Sequence, residues 1–361
     1  SPAGAFADRG AAAARAARGV SAAPLPASAV PGRRGALAWG LALLALVLAF
    51  LAALSVGRFP IAPSQLPAIL LGRDESPAAL VFWNIRLPRV AAAMLVGAAL
   101  AAAGAAFQGM FRNPLASPDL LGVSAGASLG AVLGIFLGLP VAAIQGLAFA
   151  GGIAAVAAVA ALAGAVRGQG DPVLVLILAG IALGALMGAA ISLLKILADP
   201  YNQLPAITFW LLGTLSAATR GDILAAAPPA ILGLLGLFLI RWRLNLLTLG
   251  EDEARALGVN TGALRAGAVA LATLCTAAVT ALAGAVGWIG LVVPHMARML
   301  GGPDLRRLVP LSMILGAAFL LAVDTLARSA GRMEVPLGIL TAVLGTPLFL
   351  WLLIRARRGG A

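Results

Sequence analysis

The sequence predicts an all-α polytopic membrane protein of about ten transmembrane helices per subunit, with both termini in the cytoplasm. Of its 361 residues 61% are hydrophobic and only 11% charged, with a mean hydropathy of +1.03, whereas a soluble domain carries roughly a quarter charged residues. Charged, proline-containing or glycine-rich breaks divide it into apolar runs matched to a hydrocarbon core of about 30 Å. All but one of the 25 basic residues are Arg, and they gather mostly between the runs. That pattern orients helices across a bilayer and accounts for the net charge of +12 without a nucleic-acid ligand.

Residues 1–35 are Ala-, Arg- and Pro-rich without hydrophobic periodicity and are expected to form a mobile basic tail. An organellar transit peptide is the alternative for so acid-poor a segment. The first long run, Leu37 to Val56, has the length of a spanning helix rather than of a signal core. Further spans are expected near 90–110, 120–138, 141–165, 173–196, 223–241, 264–285, 288–300, 309–328 and 336–354, of which 288–300 is short. With the N-terminus inside, 17 basic residues fall inside and eight outside, the eight being Arg58, Arg73, Arg86, Arg89, Lys195, Arg220, Arg328 and Arg332. "AGAAFQGMFRNPLASPD" (103–119) and "AGAVGWIGLVVPHMARMLGGPD" (283–304) echo each other, and the topology would make them an inverted repeat. Gly184 and Gly188 in "GALMGAAIS" have the spacing of a close helix contact.

Little in the chain supports catalysis. The single cysteine, Cys275, excludes an intramolecular disulfide or a cysteine metal cluster. Lys195, the sole lysine, lies in "SLLKILADP" rather than behind a glycine-rich loop, so there is no P-loop. His295 is the sole histidine and reads as a packing or hydrogen-bonding residue, and no Asp-rich magnesium motif occurs. Lys195 and Asp324 are the ionisable residues within predicted spans, both near outer ends. Lys195 can snorkel, and Asp324 precedes Arg328 by four residues in "DTLAR", an i,i+4 pair. No buried proton relay is evident, so an ion-coupled secondary transporter lacks its machinery, and a membrane-embedded enzyme lacks a nucleophile–base pair.

Two charged stretches stand out. In "LGEDEARALGVNTG" (249–262), Glu251, Asp252 and Glu253 would occupy a first helical turn, Gly258 would stop the helix, and Asn260 and Thr261 would cap a second short helix leading into the next span. Either this is a solvated connector, or Ala254 and Leu257 dock into a groove on a partner with the acids and Arg255 at its rim. In "WNIRLPRV", Arg86 and Arg89 flank Pro88 before a span, so that both guanidinium groups emerge unpaired at the outer surface, either against lipid headgroups or against carboxylates of an external protein.

Several blocks together resemble the permease subunit of type II ABC importers for ferric siderophores, haem and cobalamin. They are "RLPRVAAAMLVGAALAAAGAAFQGMFRNPLASPDLLGVSAGASLGA" (86–131), "LADPYNQLPAITFWLLGTLS" (197–216), "LGEDEARALGV" (249–259), "GWIGLVVPHMARMLGG" (287–302) and "EVPLGILTAVLGTPLFLWLL" (334–353). The resemblance implies a transmembrane permease domain over 36–361 and a homodimer in the bacterial inner membrane. It implies two copies of a cytoplasmic ABC ATPase, which would use the ATP and magnesium, and a periplasmic binding protein that delivers cargo; this chain would bind no cofactor and hold no metal. Leu249, Gly250, Glu251, Asp252, Glu253, Ala254, Arg255, Leu257 and Gly258 would form the ATPase-coupling element, and Arg86, Arg89 and Arg328 would face acidic residues of the binding protein. "NPLASPDLLGVSAGA" holds Asn113, Pro114, Pro118, Gly122 and Gly126, a loop and pliable helix start expected to help form a gate near the inner end. An iron chelate is the expected cargo, with cobalamin the alternative.

Overall fold

The computed structural model describes residues 33–57, 59–165, 172–249, 251–331 and 333–358. The expected tail, residues 1–35, therefore lies almost wholly outside the described residues, as do Arg58, Arg167, Gly250 and Arg332 and the side chains of Glu251 and Asp252.

Among the described residues every regular element is a helix and none is a strand, as a backbone without water must satisfy its own hydrogen bonds. The long helices are α1 (Arg33–Ser55), α4 (Leu87–Met110), α6 (Val141–Ala165), α7 (Pro172–Leu197), α9 (Arg220–Leu249), α11 (Thr261–Ala283), α13 (Leu305–Ser329) and α14 (Leu337–Arg358). Shorter ones are α2 (Leu66–Leu70), α3 (Pro77–Val81), α5 (Val123–Phe136), α8 (Gln203–Leu212), α10 (Glu251–Ala256) and α12 (Ile289–Gly301). Seven helical stretches are long and apolar enough to cross a membrane. Ten helices match the ten expected spans in order, with differences in length and one additional helix; α9 runs to Leu249, beyond its expected end at 241. The run 120–138 forms only the 14-residue α5, entered through a tight turn at Pro118–Leu121. The ten-residue α8, which hydropathy alone did not separate, is an additional short apolar helix.

Central α4 is enclosed by α9, α11, α12 and α13, and 72% of its spanning window is buried. Its sequence explains its position: Ala and Gly present almost no side chain, so neighbouring backbones approach directly. A β-carbon on Gly97 would overlap the carbonyl oxygen of Gly316 on α13, and one on Gly104 would overlap that of Gly290 on α12. Gly126 meets Gly151 in the same way between α5 and α6. Gly184 and Gly188 do not take part: nothing lies within 4 Å of either β position, because α7 is only 6% buried in its spanning window.

We call the end carrying Arg86, Arg89 and Arg328 outer and that carrying α10 inner, following the sidedness the arginines predict. The repeat-like stretches 103–119 and 283–304 both finish at the inner end, where Asn113, Pro303 and Asp304 line one cleft. They are not inverted relative to one another. The second stretch begins with non-helical backbone at 284–288, which returns the chain into the bundle before α12 resumes beside Gly104. Such irregular backbone is tolerated at depth because protein covers it; Val286 is 8% exposed.

Candidate transport sites at the two ends of the bundle

At the outer end the helix before α4 widens into a π-turn over Phe82–Arg86. Pro88 has no N–H to donate back to the preceding turn, and a π-turn accommodates that loss. The widening carries Arg86 and Arg89 inward, and this corrects the sequence expectation: Arg86, Arg89 and Arg328 are 4%, 7% and 6% exposed, and none of them is unpaired. Arg89 donates through Nε to both Asp324 oxygens at 3.0 and 3.1 Å and through Nη2 to Oδ1 at 2.9 Å. Its Nη1 and Nη2 also reach the two oxygens of Glu334 at 3.0 and 2.9 Å. Arg328 keeps the expected i,i+4 relation to Asp324, with Nε 3.6 Å from Oδ2.

The two remaining guanidinium groups close the C-terminus of α1. Arg86 donates to the carbonyls of Leu54 at 2.6 Å and Phe59 at 2.7 Å, and Arg328 donates to that of Ala53 at 2.6 Å. Cations at the last carbonyls of a helix satisfy acceptors that have no partner within the helix and oppose the negative end of its dipole. Gly57 lies over them: a β-carbon there would stand 2.8 Å from Arg86 Nη2. Only the Asp324–Arg328 relation was visible as helical spacing. The Glu334 partner lies 245 residues beyond Arg89, in the segment before α14, and no local pattern links them.

At the inner end α10 is a helix of six residues. Gly258, with φ +78°, ends it, and Val259 N closes back on Ala254 O at 3.1 Å. Asn260 caps α11 directly, its side chain accepting from Ala263 N at 2.9 Å, so no second short helix intervenes. The proposed docking pair divides: Ala254 is 0% exposed and packs on its own chain, whereas Leu257 is 62% exposed. Leu249 is also exposed. A groove of about 590 Å³ runs beneath Leu257 and Gly258 between α9 and α11.

The segment joining α4 to α5 turns sharply at Arg112, with φ +50°. Asn113 accepts from Leu115 N at 2.9 Å, a local turn typical of this residue. Asn113 and Pro114 line an open cleft of about 1000 Å³, opposite Thr248 and Leu249 at the end of α9 and beside His295 and Arg298 of α12. The cleft thus joins part of the expected gate to the connection leading into α10. Pro118 and Gly126 are not at its surface; both are buried, and Gly122, with φ +76°, starts α5.

The sequence matches the FecCD transport family over residues 45–355. The chain belongs to that family. It is 42% identical over 288 residues to a Helicobacter pylori protein named "Probable iron chelatin transport system permease protein", covering 80% of this chain and 86% of the relative. A molybdate import system permease protein of Haemophilus influenzae is 37% identical over 327 residues, covering 89% and 96%. A cobalamin import system permease protein of Halobacterium salinarum is 39% identical over 277 residues, covering 76% and 74%. A solved inward-facing structure of a metal-chelate type ABC transporter superposes with a TM-score of 0.80 at 36% identity, covering 89% of this chain and 99% of that one. This FecCD-family chain is accordingly a multi-pass membrane protein with the ABC permease fold.

Proposed function

We propose that this chain is the membrane-spanning subunit of an ATP-driven importer in the bacterial inner membrane, and that it passes an iron chelate, a ferric siderophore or haem, inward from a periplasmic binding protein. The observation that carries the reading is α10: between two long spans, the chain presents a short helix tipped by exposed Leu249 and Leu257. A pair of exposed leucines on a connector favours a protein partner, and a separate ABC ATPase is the partner proposed. This chain contributes no nucleotide chemistry; ATP and magnesium act on the ATPase.

Two copies of the chain would surround the pathway. The weakly buried α7, with open space at Gly184 and Gly188, supplies a surface on which a second backbone can pack closely. At the outer end, carboxylates of the binding protein would compete with Asp324 and Glu334 for the arginine cluster. Among the described residues three guanidinium groups face two carboxylates there, an excess of positive charge that would attract an acidic partner. ATP binding would draw the ATPase pair together, α10 would follow through Leu257, and the cleft at Asn113 and Thr248 would change shape.

The iron chelate is favoured by the Helicobacter relative's name, and cobalamin is the second reading on the strength of the Halobacterium relative. Uptake into proteoliposomes holding the whole complex separates them. ATP-dependent accumulation of a radiolabelled ferric chelate but not of cobalamin supports the first reading, and the reverse supports the second.

A further inference from the structure

The large inner cleft has a charge balance that the transport reading does not use. α12 places His295 and Arg298 three residues apart, on one face of the helix, and both line the cleft together with Arg112. Arg298 donates from Nη2 to the neutral oxygen of Gln108 at 2.8 Å; Gln108 is itself fixed by donating to the carbonyls of Gly290 and Leu291, each at 3.2 Å. Arg298 therefore has a set position without a carboxylate partner among the described residues, and Arg112 is exposed. The one acid in the wall among the described residues, Asp304, is occupied: its side chain caps α13 through Arg306 N at 2.9 Å and accepts from the Asn245 amide.

His295 lies in the same wall and is 9% exposed; its Nδ1 is closed off from solvent, so the arginines are the groups that an occupant meets. A half-buried guanidinium without a counter-charge is costly. A ligand with several oxygens would supply that counter-charge, because it can accept from more than one donor.

We infer that this cleft is a binding site for a small oxyanion, of the carboxylate or phosphate class, held by Arg112 and Arg298. The site opens beside Asn113 and Leu249, so an occupant would bridge the loop after α4 to the connection leading into α10. Such an anion would restrain the movement proposed for import. Binding itself does not depend on the importer reading; only the cytosolic source of the anion does.

The test is calorimetric titration of the purified complex, in lipid nanodiscs, with citrate and with inorganic phosphate, against sodium chloride at matched ionic strength. Saturable binding of either oxyanion is expected, weakened about tenfold or more by Arg112→Ala and by Arg298→Gln, since each removes a charge-assisted contact. The Gln side chain can still donate to Gln108. Should Arg298→Gln misfold, Arg112→Glu, at an exposed position where the side chain makes no hydrogen bond or ion pair among the described residues, is expected to abolish binding. No oxyanion heat beyond that of chloride, or equal affinity in wild type and Arg112→Glu, overturns the site.

Discussion

Arg89 on α4 and Asp324 on α13 are 235 residues apart in sequence and meet in a forked pair at 2.9 to 3.1 Å, with Asp324 entirely shielded from solvent. Breaking one side of such a pair leaves an uncompensated buried charge. Asp324→Ala is expected to cost about 3 to 5 kcal/mol, read as a large fall in melting temperature in detergent micelles. Arg89→Met combined with Asp324→Leu removes both charges of the pair and should lose less than the sum of the two single changes. A strictly additive double-mutant cycle would mean that the two residues are energetically independent.

The same cluster gives a sharper test of docking. If carboxylates of a binding protein compete with Glu334, Glu334→Gln removes the competitor, and the affinity of the binding protein should rise several-fold with a salt dependence at least as steep as before. Arg89→Glu should weaken docking at low salt. Surface plasmon resonance at two ionic strengths reads both; identical binding by wild type and Glu334→Gln would remove Arg89 from the docking face.

Backbone contact between α4 and α13 makes Gly97 intolerant. Gly97→Val would force the carbonyl of Gly316 away, with a cost of at least the 1 to 3 kcal/mol typical of overpacking, and should give little folded protein by fluorescence-detected size-exclusion chromatography. Gly184→Val meets open space and should leave the subunit folded, while lowering the proportion of two-copy complexes if α7 is the homodimer surface.

At the inner end, Leu257→Asp and Ala254→Leu should behave differently. Leu257 is exposed, so its replacement should preserve folding and abolish cargo-stimulated ATP hydrolysis in the complex. Ala254 is buried, so its enlargement should lower stability even in the isolated chain. Normal ATPase stimulation in a folded Leu257→Asp complex would disconnect α10 from coupling.

The spans were legible because hydropathy is additive along a helix and needs no knowledge of neighbours. Sequence spacing also revealed Gly258 as a helix stop and Asn260 as a cap, since both act on adjacent backbone. What it missed depends on tertiary approach. Small-residue spacing pointed to Gly184 and Gly188, yet Gly97 and Gly316 make the contact, and nothing local distinguishes an inward glycine from an outward one in so Ala-rich a chain. Arg86 and Arg89 looked unpaired because Glu334 and the carbonyls ending α1 reach them from distant segments. The inner cleft was hidden for the same reason: Arg112, Thr248 and Arg298 share it only after folding.

The most direct measurement is the intact mass of the complex extracted gently from its native membrane. The account predicts two copies of this chain with two copies of an ATP-binding subunit. A chain that is recovered alone and still transports cargo in proteoliposomes without any ATPase would contradict it.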